Sequence, residues 1–184
     1  MSQPSPTALE EFRALRATIR QRGTTRPVVA LCCFIAWAAL AFAVQTWAET
    51  PAATLMPLIV LAAGYEAVLA LHVGVERIGR YLQVRYEQSD DGPRWEHTAP
   101  VFSANPAPPK VSIDPVFGGV FIGATFVNLY PVGLLTFGLT PSWMGLPVEF
   151  AVYGGLHVLF IARVIQGWRY ARGQRARDLE ALTR

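Results

Sequence analysis

The sequence predicts an all-helical membrane protein: four transmembrane helices forming two antiparallel hairpins, with both termini cytoplasmic. Three observations predict it. The 184 residues are 52% apolar and 16% charged, with a mean hydropathy of +0.30, too little polar surface for an ordinary soluble domain. Four apolar runs, at about 28–47, 57–75, 116–138 and 147–166, approach the ~20 residues that cross a bilayer core. All sixteen basic residues fall in the stretches 13–26, 77–110 and 163–184, and none lies in 48–56 or 139–147. Short loops rich in arginine resist translocation, so the three basic stretches belong on the inner side. The net charge of +3 then reports juxtamembrane arginines facing anionic lipid, and nucleic acid is not an expected partner.

The N-terminal segment 1–27 predicts a short amphipathic helix lying on the inner leaflet. Ser5-Pro6 starts it, and Thr7–Glu10 has capping-box spacing. Leu9, Phe12, Leu15 and Ile19 form its apolar stripe, Gly23 ends it, and the chain turns inward at Pro27. Arg13, Arg16 and Arg20 are then lipid or partner contacts. Ala41-Phe42-Ala43 has the small-residue pattern of a cleaved leader, but the long, partly acidic segment before it favours retention as an anchor. Fifteen arginines to a single lysine suit a GC-rich bacterial genome, so a bacterial inner membrane is the expected location.

An outer loop of about nine residues (48–56) joins the first two spans. The second span continues past the membrane surface through Glu76–Tyr86, with Glu76 and Arg80 at ion-pair spacing. Residues 88–115 form a Pro-rich cytoplasmic loop, in which Pro106–Lys110 has the composition of a polyproline ligand or a plain linker. Pro131 predicts a kink in the third span. The fourth helix extends into a basic C-terminal helix over 167–184, where Arg169, Arg172 and Arg175 are further lipid or partner contacts. Trp47 and Trp143 mark the outer interface, and Trp168 and Tyr170 the inner one.

Polar groups inside the spans are the candidate functional residues, since charge in hydrocarbon is costly. Glu66, Asn128 and His157 fall at similar depth on three helices and form a candidate intramembrane cluster. It reads either as a proton-accepting site centred on Glu66 or as interhelical hydrogen bonds that set bundle register. His72 and His157 form a second constellation, which could ligate haem b or a pigment between facing helices. The tripeptides Leu71-His72-Val73 and Leu156-His157-Val158 also hint at a duplicated hairpin.

Gly119 and Gly123 have GxxxG spacing, which serves either close packing within the bundle or a homodimer face. Cys32-Cys33 are packing residues with no metal-ligand spacing, and no metal site is expected. No phosphate loop, nucleophile–base pair or paired catalytic carboxylates occur, so the expected function is a non-catalytic accessory or scaffold subunit contacting other membrane proteins. A haem-binding electron carrier using His72 and His157 and a proton-coupled transporter using Glu66 are the alternatives; otherwise no cofactor is expected.

Overall fold

The computed structural model describes residues 5–48, 50–87, 95, 96, 98, 113–137 and 148–183, with no side-chain description at 51, 113–116, 131–137 and 149. Nearly all of these residues are helical: α1 (Pro6–Trp47), a 3-10 turn (Pro51–Thr54), α2 (Leu55–Arg85), α3 (Ile113–Phe137) and α4 (Val148–Thr183). Among them α1, α2 and α4 are long and apolar enough to cross a membrane. The side chains described on α3 cover the shorter apolar segment Phe117–Tyr130. Polyproline segment 106–110, Trp143 and the loop 139–147 lie outside the described residues.

The largest departure from expectation is α1, a single helix of 42 residues that runs through both Gly23 and Pro27. Neither residue ends it, so no separate interfacial helix forms. Pro27 forfeits one backbone bond and presses its ring toward the carbonyl four residues back, which belongs to Gly23. A glycine there carries no side chain to crowd the adjusted turn. Just before Pro27, Thr24 Oγ1 donates to Arg20 O and Gln21 O, and Thr25 Oγ1 donates to Gln21 O, at 2.9 to 3.1 Å, back-bonds that let a helix bend. At the start of α1, Ser5 Oγ accepts from Ala8 N at 3.2 Å, so Ser5 is the cap and Thr7 lies inside the first turn. Likewise α3 begins at Ile113, before Pro115, which a helix tolerates in its first turn. It is continuous across Pro131.

The chain divides into two compact units whose boundaries fall inside α1, α2 and α4. The first comprises 1–27, 69–110 and 170–184 and holds fourteen of the sixteen basic residues (five, five and four in those segments). Its interior is largely polar: Leu82 is buried together with Arg80, Glu87 and Gln174. Such charges are tolerated in an interior only when paired, as they are here.

The second unit comprises 28–68 and 111–169 and has the apolar core. On α2 the buried positions Leu58, Leu61, Tyr65 and Val68 recur at spacings of three and four, one helical stripe. Phe121 and Ala124 on α3, Phe160 and Val164 on α4, and Ala30, Cys33 and Val44 on α1 complete it. Aromatic rings make the central layer. Phe121 lies 4.9 Å from Phe34 and 5.3 Å from Tyr65, and Tyr65 lies 6.0 Å from Phe160, both of the latter edge to face.

One close approach sets the spacing of α1 and α2. Cys33 Sγ donates to Val60 O at 3.4 Å, and a Cβ at Gly64 would collide with the Cys33 side chain. Gly64→Ala should therefore destabilise the protein by about 1–3 kcal/mol through overpacking. Adding Cys33→Ala should recover part of that loss. Tryptophan-monitored thermal unfolding in detergent measures both.

Candidate functional site

Two separate polar constellations occupy the second unit. The first is buried. Asn128 Nδ2 on α3 lies 3.0 Å from Thr54 O and 2.8 Å from His157 Nε2 on α4. His157 Nδ1 lies 2.7 Å from Tyr153 O, one turn back on its own helix. Thr54, Asn128 and His157 are each at most 1% exposed.

These contacts dictate the protonation pattern. Thr54 O is an acceptor, so Asn128 must turn its amide nitrogen toward it. That same nitrogen faces His157 Nε2, which must then accept. The ring proton is left on Nδ1, where Tyr153 O receives it. The arrangement thus fits one tautomer of a neutral imidazole, with both ring nitrogens occupied. Asn128 Oδ1 is buried and has no hydrogen-bond partner among the described residues.

The second constellation is an ion pair. Arg163 Nε lies 2.7 Å from Glu66 Oε1, and Arg163 Nη2 donates to Glu66 Oε2 at 2.8 Å. Two parallel bonds of this kind are the strong, geometrically specific form of an arginine–carboxylate contact. The expected trio is therefore split. Asn128 and His157 meet, but Glu66 lies on the outward side of α2 and is bound to Arg163. Adjacent helical residues diverge by about 100°, and Tyr65 takes the inward direction, donating its hydroxyl to Val164 O at 2.9 Å. The sequence reading missed Arg163 as a partner and could not see the Thr54 carbonyl. Nevertheless Arg163 and Val164 are neighbours, as are Glu66 and Tyr65, a correspondence available in the sequence.

The histidine pair proposed for haem falls in different units. His72, in the first, has Nδ1 3.1 Å from Arg26 Nη1, whereas His157 has the partners given above. The two matching tripeptides thus carry histidines with unlike environments. Gly119 and Gly123 are exposed on α3, and among the described residues a Cβ at either would meet nothing within 4 Å, so neither packs closely against another described segment. Among the described residues no three His, Cys, Asp or Glu side chains are grouped to hold a metal.

In the first unit the basic residues divide. Arg16 bridges two carboxylates, Glu87 Oε1 at 3.0 Å and Glu96 Oε1 at 2.9 Å, while Glu87 Oε2 accepts from Glu96 N at 2.8 Å. Arg16 is thus engaged inside the chain and is not an open lipid contact. Burial raises the Glu96 carboxyl above its ordinary value, against the pull of Arg16. Arg80 joins Glu76 and Asp178, each at 2.9 Å, and Arg77 Nη2 donates to Tyr170 Oη at 3.0 Å. Arg13, Arg20, Arg172 and Arg175 are exposed, as is Arg169 of the second unit.

Glu11 ties α1 to the end of α2, accepting from Tyr81 at 2.9 Å and Tyr86 at 2.7 Å. Comparison with protein-family models, curated proteins and solved structures finds no match to the chain, so no family of catalysts is indicated.

The Glu11 latch has a defined pH window. Hydrogen bonds from Tyr86 and then Tyr81 hold the Glu11 carboxyl below its ordinary value, and the bond to Glu11 pushes Tyr86 up to about 12. The depressed carboxyl contributes stability above its unfolded value of 4.5 and loses it as pH falls through the folded value. The raised phenol contributes below its unfolded value of 10.0 and loses it as pH rises toward about 12. Ultraviolet titration of tyrosinate should show one tyrosine ionising near 12, moving toward 10.0 in Glu11→Gln.

Proposed function

We propose that this chain is a small multi-pass protein of a bacterial inner membrane, a non-catalytic accessory or scaffold subunit of a larger membrane complex. In this reading it has four spans in two hairpins, both termini are cytoplasmic, and the inner leaflet is anionic. Support for the topology comes from the confinement of basic residues to three stretches and from the long apolar helices. α3, with its apolar stretch Phe117–Tyr130, would be the remaining span.

The observation that carries the functional reading is how the polar groups on these helices are used. His157 commits both ring nitrogens and Glu66 commits both carboxylate oxygens to bonds within the chain. A haem ligand needs a free imidazole lone pair, and here Asn128 occupies it. A proton carrier needs a carboxyl open to the path it serves, and here both Glu66 oxygens are held by Arg163. Both alternatives are thereby disfavoured. Exposed Arg13, Arg20 and Arg175, with Trp95 at 59% exposure, give the basic unit a surface suited to lipid headgroups and to a partner subunit.

The full chain, purified in mild detergent from its native membrane, should elute with other subunits in fixed proportion and without a Soret band. Elution of the chain by itself, as a monomer or any homo-oligomer, would contradict the accessory role. A Soret band lost in both His72→Ala and His157→Ala would replace it with the haem reading.

A further inference from the structure

The Glu66–Arg163 pair is left half-covered by its own unit, with side chains 48% and 44% exposed. Both residues belong to the apolar runs of long helices, where charges ordinarily face protein or a water-filled cavity. Helical periodicity extends the same face in both directions. Ile59 and Ala63 precede Glu66 by seven and three residues, and both are exposed. Leu159 precedes Arg163 by four, Gln166 follows it by three, and both are exposed as well. The outward face of the α2–α4 pair therefore carries Ile59, Leu159 and the small Ala63, with Gln166 beyond and opposite charges at its centre.

We propose that this face binds a second copy of the chain about a two-fold axis running along the helices. Charge complementarity selects that occupant. A two-fold rotation sets α2 of one copy opposite α4 of the other, so Glu66 meets the partner's Arg163 at the same height. Four charges then alternate in sign around a ring. Arg163 uses Nε and one Nη2 hydrogen on its own Glu66, which leaves Nη1 and the second Nη2 hydrogen for the partner's carboxylate. A foreign helix would have to bring both signs at matching heights, whereas a second copy does so by symmetry. Ala63 lets the backbones approach closely. The inference is independent of the accessory role.

The test uses the full chain in lipid nanodiscs, sized by light scattering, and cross-linking in membranes. The expected result is a dimer whose dissociation constant rises about tenfold in Glu66→Gln and in Arg163→Gln, given the ~1–2 kcal/mol typical of polar contacts between membrane helices. The double exchange Glu66→Arg with Arg163→Glu keeps the alternation and should restore the dimer. If the single variants fold poorly, native charges serve instead: Ala63→Cys in one tagged copy should cross-link to Leu159→Cys in another, with Cys32 and Cys33 replaced by Ala. A monomer, a dimer indifferent to both charge removals, or a dimer lost only in Gly119→Leu would each overturn the proposal. So would cross-linking from position 63 to a different protein.

Discussion

A hydrocarbon environment offers no donors or acceptors, so every polar group on a helix that enters it must find its partner within protein. The second unit is organised around that constraint. The carbonyl of Thr54 lies at the corner where the 3-10 turn gives way to α2. Asn128 reaches it, and the orientation this forces on the amide passes on to His157 and from there to Tyr153 O. Each bond in that relay is conditional on the previous one. Three separate segments of chain are thereby held in one register by a single asparagine.

The first unit solves a different problem by similar means. Its helices carry many arginines, and among its described residues Leu82 is the buried apolar side chain, beside Arg80, Glu87 and Gln174. Arg80 is buried yet meets two carboxylates, and Arg16 spans Glu87 and Glu96. Removing one partner from such a set leaves the other charge stranded, which makes paired interiors specific even where they add little net stability. Exposed pairs such as Arg77–Asp178, at 3.9 Å, contribute much less.

Helix class and approximate extent were legible because length and hydropathy of an apolar run are properties of the chain itself. The ends of α2 and α4 illustrate this, since the stretches 57–75 and 147–166 lie wholly or almost wholly within them. Local punctuation was less informative. Gly23 and Pro27 are breakers in isolation, but α1 runs through both, with one backbone bond lost at Pro27.

For the candidate site, depth was legible and azimuth was not. Counting residues from span midpoints placed Glu66 level with Asn128 and His157. Whether Glu66 or Tyr65 turns inward is decided by packing against Phe121 and Phe160. Gly119 and Gly123 show the same limit, because GxxxG spacing marks a face without saying what lies opposite it. Backbone acceptors such as Thr54 O leave no trace in residue type.

The claim beneath this account is that Asn128 and His157 stabilise the fold through each other. A double-mutant cycle with Asn128→Leu and His157→Phe, read by reversible unfolding in detergent or bicelles, measures that directly. The account predicts a coupling of about 0.6–2 kcal/mol, the range of hydrogen bonds between membrane helices. Strictly additive losses would contradict it.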